Sequence, residues 1–309
     1  MSGEARTSAG ISLGRVANPL PEPPTLVLHH PSPEQRATLL AVVERAAAAG
    51  DPLDDLLAAD LAHGGDVVAV LAGDPADPEA YAQASVSHGG MVVGVVSATG
   101  EATRHALHRS ALQALLRAVP AQTAVIWWPT LEDESLAAPL GLVPHRRLLR
   151  MEVPLPLPEA TDLVTRPYRV GADDAAWLEV NNAAFHWHGE QGGWDLAGLR
   201  QRQREPWFDA AAFLLHERDG RLAGFCWTKA HPGAIGEVYV VAVHPAFHGL
   251  GLGRALTIAG YAHQAAAGAT TGMLYVDATN SPAVRMYEAL GMRVVAARQS
   301  YHRAPGAPA

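Results

Sequence analysis

One segment constrains the fold more than any other: an apolar run that passes through a proline into a glycine-rich loop. The run is Val238-Tyr-Val-Val-Ala-Val-His-Pro245, and the loop is Ala246-Phe-His-Gly-Leu-Gly-Leu-Gly-Arg254. The run predicts a buried strand, and the glycines predict a tight turn into a helix. Backbone N–H groups at such a turn, with the positive end of the helix dipole, favour a phosphate or pyrophosphate. The segment therefore predicts a strand, a loop and a helix around an anionic ligand.

Two common phosphate-binding loops do not fit these residues. A Walker loop ends in Gly-Lys-Ser/Thr, whereas Gly253 is followed by Arg254 and Ala255, and a Rossmann fingerprint needs a third Gly or Ala at position 254. The alternative without a ligand is that the glycines only make a tight turn between the strand and the helix.

Composition limits the class of protein and its partners. A chain of 309 residues predicts two domains. The formal charge of −8 argues against a nucleic-acid partner. No run of about 18 apolar residues and no signal peptide are evident, so we expect a cytoplasmic protein without a membrane partner.

The single Cys226 excludes a disulfide framework and predicts a small packed residue rather than a nucleophile. No metal site is expected, since His186 and His188 lack a third ligand at metal spacing.

The order of predicted elements is mixed α/β and occurs twice, displaced by about 150 residues. We expect a tail at 1–24, a first domain at 25–152, a proline-rich linker at 153–162, a second domain at 163–303 and a tail at 304–309. The predicted elements of the first copy are helices at 35–49 and 106–119 and strands at 67–71, 91–96 and 124–128. Those of the second copy are helices at 173–184, 253–267 and 282–290 and strands at 213–217, 222–229, 237–243, 273–277 and from 293.

The two copies differ where chemistry is expected. The first copy has Thr103-Arg-His-Ala-Leu-His108 in place of the glycine loop and Ala137 in place of Tyr287. Without glycine, the backbone cannot approach a pyrophosphate as closely. The second copy is therefore predicted to carry the chemistry, and the first to shape or cap the site.

A carboxylate inside the apolar strand is the first catalytic candidate. Glu237 is costly to bury unless it is used or paired, and strand alternation predicts that it shares a face with Tyr239, Val241 and Val243. We assign Glu237 as a general base that acts through water. The alternative is a structural ion pair of Glu237 with Lys229 or Arg254.

Around the glycine loop the sequence resembles the GCN5-related N-acetyltransferases. Val241, Val243, Pro245, Gly251 and Gly253 match the family pattern, while His248 stands where Arg or Gln is usual. The resemblance implies two tandem acetyltransferase domains and acetyl-CoA as the acetyl donor. Implied coenzyme contacts are Val241, Ala242, Val243, His248, Gly249, Leu250, Gly251, Leu252, Gly253, Arg254, Asn280, Ser281, Pro282, Ala283, Val284 and Arg285.

The last predicted helix carries the second catalytic candidate. Ser281 is expected as its N-cap, Pro282 as its first residue and Gly291 as its left-handed stop. Tyr287 lies two turns beyond Asn280, and the resemblance makes it the general acid. The alternative is an interior tyrosine whose hydroxyl is bonded within the fold.

Further motifs resemble the branch of that family that completes mycothiol in actinobacteria. They are Glu190-Gln-Gly-Gly-Trp194, Trp227-Thr-Lys-Ala-His-Pro232, Gly236-Glu-Val-Tyr-Val-Val241 and Leu274-Tyr-Val-Asp277. The resemblance implies acetylation of the cysteinyl amine of a cysteinyl-glucosaminyl-inositol. We expect a monomer. Implied acceptor contacts are Asp54, Glu190, Lys229, Glu237 and Tyr275. Acetylation of another small-molecule or peptide amine, and a non-catalytic acyl-CoA-binding module, are the alternatives.

Overall fold

The computed structural model describes residues 22–87, 90–186 and 191–306, so the predicted tails lie largely outside it. Helix α1 begins at a capping box in which Ser32 and Gln35 bond each other's backbone N–H groups. In chain order the first copy contains β1 (Thr25–His29), α1 (Pro33–Ala48), α2 (Asp55–His63), β2 (Val67–Asp74), β3 (Asp77–Ser87), β4 (Gly90–Ser97), α3 (Glu101–Ala118), β5 (Val125–Trp127) and β6 (Val143–Pro154).

The second copy repeats this order with one more helix. It contains β7 (Arg166–Pro167), α4 (Asp174–Ala184), α5 (Leu196–Arg202), β8 (Phe213–Arg218), β9 (Arg221–His231), β10 (Ile235–Val243), α6 (Leu252–Ala266), β11 (Thr271–Asp277), α7 (Ser281–Glu288) and β12 (Arg293–Arg303). The mixed α/β prediction is confirmed, and every predicted helix and strand is present with shifted ends. Elements β1, α2, β3, β6, β7 and α5 were not predicted. In the described residues, no helix is long and apolar enough to cross a membrane.

One sheet of 12 strands runs through both copies, in the order β1-β2-β3-β4-β5-β12-β6-β11-β10-β9-β8-β7. Strand β6 of the first copy pairs with β11 and β12 of the second, and β12 pairs with β5 and β6 of the first. Each copy therefore lends its last strand to the other. Val153 and Pro154, predicted as linker, belong to β6, and residues 155–165 contain no helix or strand.

Backbone geometry supports the repeat. Strands β4 and β5 are parallel, as are β10 and β11, while the other pairs are antiparallel. After α7, the Met292 N–H donates to the Tyr287 carbonyl at 3.1 Å, and Leu142 donates to Ala137 at 3.0 Å at the matching place in the first copy. Gly291 and Gly141 precede these donors with φ of 88° and 70°. Left-handed stops of this kind are what glycine allows most readily.

Helices cover both faces of the sheet. In the second copy, α6 and α7 pack on one face around Leu256, Tyr261 and Leu274. On the other face α4 packs on an aromatic core whose buried members include Trp177 and Trp227. Helix α6 lies so close to β9 that a Cβ at Gly260 would come within 2.5 Å of the Cys226 sulfur. Burial raises the pKa of the Cys226 thiol to about 12, in agreement with its prediction as a packing residue.

Candidate functional site

The parallel strands of the second copy part in the middle of the sheet. Strands β10 and β11 pair only from Ile235 to Glu237 and from Thr271 to Met273, although both continue further. A cavity of about 440 Å³ lies where they separate. Both copies line it, the first through α2 and β6. Unpaired strand backbone beside a cavity suits an extended ligand with amide groups.

A β-bulge in β10 changes the face on which its side chains lie. The pairing of β10 with β9 shifts by one residue between Val238 and Val240. Val238 packs on the α6 side, so its neighbour Glu237 points to the opposite face, while Val241 and Val243 pack on the α6 side again. The prediction that Glu237 shares a face with Val241 and Val243 is therefore wrong. A bulge adds one residue to one strand, which interrupts the alternation.

Glu237 lies in the cavity wall and has a close partner. Its side chain is nearly buried, with a residue exposure of 7%. Its Oε2 lies 2.6 Å from Nε2 of His231, which also lines the cavity. The proposed structural pairs of Glu237 with Lys229 or Arg254 are not formed, because Lys229 pairs with Asp55 and Arg254 with Glu159. Sequence reasoning missed His231, although it closes the quoted Trp-Thr-Lys-Ala-His motif.

The pair of Lys229 and Asp55 joins the two copies across the cavity. The ammonium lies 2.8 Å from the Asp55 carboxylate and 4.6 Å from the centre of the Trp207 ring. Asp54, the predicted contact from the first domain, lines the same cavity, but its carboxylate accepts the Leu56 N–H at 3.0 Å and caps α2. The first copy therefore offers Asp55 to Lys229, and Asp54 holds the helix that carries it.

Of the other two predicted acceptor contacts, the structure describes Tyr275 but not Glu190. Tyr275 on β11 lines the cavity and is 41% exposed. Glu190 lies outside the described residues, whereas Gln191 next to it lines the cavity. Buried Arg202, which sequence reasoning did not identify, also lines it and lies 5.8 Å from the ring centre of Tyr239. Burial raises the pKa of the Tyr239 hydroxyl, although nearby Arg202 opposes the shift.

The glycine loop has the backbone that the sequence predicts. Gly249 and Gly251 have φ of 79° and 74°, and a Cβ on either would meet no atom within 4 Å. Gly251 is the N-cap residue of α6, so the N–H groups of the first helical turn face this open side. His248 turns back, with Nε2 3.0 Å from the Val243 carbonyl oxygen. The guanidinium of Arg254 bonds the Glu159 carboxylate, with Nε at 3.1 Å from Oε1.

Helix α7 begins one residue earlier than expected and brings Tyr287 to the cavity. Asn280, not Ser281, is the N-cap, because its side chain accepts the Ala283 N–H at 3.3 Å. Asn280, Ala283 and Tyr287 all line the cavity. Tyr287 is 6% exposed, and burial raises the pKa of its hydroxyl. Among the described residues no hydrogen-bond partner of that hydroxyl is found, which disfavours the alternative of an internally bonded tyrosine.

The predicted coenzyme contacts lie on three elements: β10, the glycine loop with the start of α6, and α7. Among the described residues, Val241, Asn280 and Ala283 line the cavity, whereas no residue of loop 248–254 does. Loop residues 248–251 lead into α6, where Leu252 is buried against Phe247. A Cβ at Gly253 would lie 3.9 Å from the Met286 sulfur of α7, so the two helices approach each other there. Ser281, Pro282, Ala283, Val284 and Arg285 form the first turns of α7. The structure thus brings the two predicted sets together.

The first copy is built differently at the matching place. Residues 244–251 connect β10 to α6, whereas 98–100 alone connect β4 to α3. The Ser97 N–H at the end of β4 donates to Asp51 at 2.8 Å. Arg104 of α3 pairs with Asp51 and with Asp133, each at 3.2 Å. Side chains therefore bond the strand end that would otherwise be available to a ligand.

A buried histidine lies at the centre of this network. His108 has 0% exposure, with Nδ1 3.0 Å from Asp133 and Nε2 3.0 Å from the Ser97 hydroxyl. Burial alone would lower the pKa of His108, but hydrogen bonds with Asp133 and Asp51 outweigh it and raise the pKa. Burial likewise acts to raise the pKa of Asp133, but His108 and Arg104 lower it overall. We name this network the His108 cluster; it consists of Asp51, Ser97, Arg104, His108 and Asp133.

Comparison with known proteins finds a family match in the second copy. Residues 176–292 match the family model described as Acetyltransferase (GNAT) family. The chain is 53% identical over 177 residues to a mycothiol acetyltransferase of Thermomonospora curvata, covering 55% of this chain and 60% of that protein. It is 52% identical over 163 residues to the mycothiol acetyltransferase of Streptomyces avermitilis, covering 50% and 53%. The matches thus span little more than half the length of these relatives.

Solved structures agree on the fold. A tandem GNAT protein from the clavulanic acid biosynthesis pathway matches 93% of this chain and 100% of its own, with a TM-score of 0.61 and 14% identity. A GCN5-related N-acetyltransferase from Sphaerobacter thermophilus matches 92% and 98%, with a TM-score of 0.58 and 21% identity. At such identities the likeness concerns the fold alone. The chain thus carries a tandem GNAT fold, and residues 176–292 of its second copy match the acetyltransferase (GNAT) family.

Proposed function

We propose that the chain is an acetyl-CoA-dependent N-acetyltransferase whose acceptor is the cysteinyl amine of 1D-myo-inositol 2-(L-cysteinylamino)-2-deoxy-α-D-glucopyranoside. The observation that carries the proposal is the cavity between β10 and β11, which Glu237 and Tyr287 both line. Acyl transfer to an amine needs a base for the amine and a proton or hydrogen-bond donor for the leaving group, and this cavity has one candidate for each. The similarity to mycothiol acetyltransferases supports this choice of acceptor.

The glycine loop, β10 and α7 together fit acetyl-CoA. Gly249 and Gly251 have no side chains and face open space, so a pyrophosphate can approach the loop backbone there. The gap between the strands leaves β10 backbone beyond Glu237 free of β11, which suits the amides of a pantetheine arm. When bound, the coenzyme supplies an acetyl thioester. Loop 248–254 and α7 would hold it, with its thioester toward the middle of the sheet.

Glu237 is proposed to prepare the acceptor. An α-amino group has a pKa of about 7.7 to 8.0, so near neutral pH much of it is protonated and cannot attack a carbonyl. A carboxylate in the cavity wall can take that proton, directly or through one water. Because of the bulge, Glu237 lies on the sheet face opposite the Val241 side chain. An amine on that face would reach the thioester through the gap between the strands.

Tyr287 is proposed to assist the departing sulfur. Burial raises the pKa of its hydroxyl, so it carries its proton at neutral pH. A thiol of pKa about 8.5 leaves tolerably even as a thiolate. The hydroxyl therefore acts as a hydrogen-bond donor to the sulfur, with a modest contribution to the rate. The first copy has Ala137 at this place.

The acceptor end of the cavity is rich in charged and hydroxyl groups. Lys229, Asp55 and Tyr275 line it from both copies, and α2 brings Asp54 close by. These groups match the hydroxyls and amides of a sugar-linked cysteine, because carboxylates accept from hydroxyls and an ammonium donates to them. We retain Glu190 as a further proposed contact.

The proposal is tested by measuring thiol release from acetyl-CoA against a panel of amines. The panel contains the cysteinyl glucosaminyl-inositol, the same compound with serine in place of cysteine, glucosamine, spermidine and a short peptide. We expect the first compound to give the highest kcat/KM. A preference for another amine would change the acceptor, and binding of acetyl-CoA without turnover on any amine would favour a non-catalytic module.

A side chain at Gly251 is expected to weaken coenzyme binding. In Gly251→Val the β-branched residue must adopt φ near 74° and occupies the open side of the loop. Gly268→Val is the matched control, because Gly268 has φ of 97° with open space around it, at the other end of α6. Calorimetric titration should show one acetyl-CoA per chain in wild type and weakened binding in Gly251→Val alone. Unchanged affinity in Gly251→Val would contradict coenzyme binding by the glycine loop. Two equivalents of acetyl-CoA per chain would contradict the proposal that the first copy binds none.

Removal of the Tyr287 hydroxyl is expected to slow turnover without destabilising the fold. Tyr287→Phe should lower kcat by at most the roughly 10² to 10⁴ range of acid catalysis and leave the melting temperature unchanged, because no internal bond is lost. Tyr261→Phe is the control, since its hydroxyl bonds the Met273 carbonyl at 3.0 Å. That change should cost about 1 kcal/mol of unfolding free energy and leave kcat unchanged. Normal turnover in Tyr287→Phe would remove the proposed role.

A further inference from the structure

His231 and Glu237 form a close polar contact in the cavity wall. The two residues lie on neighbouring strands, with Lys229 directly opposite Glu237 and His231 opposite Ile235. The imidazole is thus the diagonal neighbour of the carboxylate on the same face of the sheet. Their side chains meet at 2.6 Å between Nε2 and Oε2. An ionised carboxylate can only accept, so Nε2 carries the proton in this pair.

The cation directly opposite Glu237 is directed elsewhere. Lys229 extends to Asp55 of the first copy and lies over the Trp207 ring. Arg202, a buried cation of this wall, lies over the rings of Trp207 and Tyr239. Within the described ranges, His231 is therefore the side chain that holds Glu237.

We propose that His231 is a positioning residue for the general base. Its N–H fixes one carboxylate oxygen of Glu237 and leaves the other free to face the acceptor amine. This inference rests on the proposed function, because it concerns the base of that reaction. A base held in one orientation abstracts a proton efficiently, whereas a displacement of about 1 Å can cost on the order of 10² in rate.

The proposed role depends on Nε2 of the imidazole ring. Two amide substitutions can distinguish a role of this nitrogen from a role of the ring as a whole. In His231→Gln the amide nitrogen reaches about as far as Nε2 and can still donate to Glu237. In His231→Asn the amide nitrogen takes the place of Nδ1 and falls short. A role in packing alone would not distinguish the two variants in this order, because both lose the ring.

The experiment compares kcat, the KM for each substrate and the melting temperature of both variants with wild type. We expect His231→Asn to lose on the order of tenfold to a hundredfold in kcat with little change in the KM for acetyl-CoA, and His231→Gln to regain most of that loss. In a Glu237→Gln background, His231→Asn should cause little further loss, because both changes affect one step. Equal kcat in His231→Asn and wild type, or equal losses in both amide variants, would overturn the inference.

Failure of the proposed function has a different signature. If wild type acetylates none of the amines, the proposed function fails before any variant is compared. If wild type is active on a different amine, the comparison of the two amide variants is made with that amine. Only an active wild type whose rate is insensitive to the amide at position 231 counts against His231 itself.

Discussion

Glu237→Gln is expected to lower kcat by about 10² to 10⁴ near neutral pH, the usual contribution of general-base catalysis. The amide keeps the shape of the side chain and can still bond His231, so the fold should survive. It cannot take a proton from the acceptor ammonium. The defect should therefore shrink as pH rises above the pKa of the amine, where free amine becomes abundant. Steady-state rates from pH 6 to 9.5 measure this convergence.

Glu152→Gln on β6 is the matched control. Glu152 lies opposite Met273 in the sheet and pairs with Arg150, but it does not line the cavity. This variant should follow the wild-type rate at every pH. A constant loss in Glu237→Gln across the pH range would instead indicate that Glu237 binds the acceptor. Wild-type turnover throughout would leave it without a role in the reaction.

His108→Leu is expected to lower the unfolding free energy by about 3 to 5 kcal/mol, because it leaves buried acids without their partner. The sign of the pH dependence follows from two opposite shifts. The raised pKa of His108 stabilises the fold below its unfolded value of about 6.5, and this is lost as pH rises through the folded pKa. The lowered pKa of Asp133 stabilises above about 3.9, and this is lost as pH falls. The difference from wild type should therefore be largest between about pH 4 and 6.5.

Denaturant unfolding at pH 5.5 and 8.5 measures this difference. His63→Ala is the control, since His63 ends α2 on the surface and is exposed. It should change the unfolding free energy by less than about 0.5 kcal/mol at either pH. The same loss in His108→Leu at both values would show that His108 is neutral in the fold and that the His108 cluster is held by hydrogen bonds alone.

The His108 cluster also gives a physical reason for proposing chemistry in the second copy alone. In the second copy the β10 to α6 connection leaves open backbone at Gly249 and Gly251. In the first, Asp51 occupies the end of β4 with its carboxylate, and Arg104 and His108 neutralise it. A buried charged network of this kind is costly to open, because each separated charge would lack a partner. We infer that the first copy supports the sheet and contributes α2 to the acceptor end.

Local signals in the chain were sufficient for the elements that depend on neighbouring residues. The glycine loop and the start of α6 followed from Pro245, Gly249 and Gly251, because backbone freedom and the loss of an N–H belong to the residue itself. The hairpin at Asp219-Gly220 is a signal of the same kind, and both residues have positive φ. The left-handed Gly291 that follows α7 is a third signal of this kind.

The side-chain partners in the cavity were less predictable. Alternation placed Glu237 on the face of Val241, yet the bulge between Val238 and Val240 puts the two side chains on opposite faces, because the register depends on how β9 pairs. The contact of His231 with Glu237 could not be predicted from periodicity, because the two side chains are diagonal neighbours on different strands. Asp55 rather than Asp54 reaches Lys229 because Asp54 is used by the N-terminus of α2.

By itself the sequence determined the mixed α/β class, the repeat, the glycine loop and Glu237 as a candidate, because these rest on residue chemistry and on patterns along the chain. Tyr287 became a candidate through the family resemblance. Tertiary structure alone decided that β6 and β12 exchange places, since strand pairing between distant segments leaves no short-range signal in the sequence. It also decided which charges meet: Lys229 with Asp55, His231 with Glu237, and His108 with Asp133. Such pairs join residues far apart in the chain or on facing strands, and only the packing of the sheet and its helices brings them within hydrogen-bond distance.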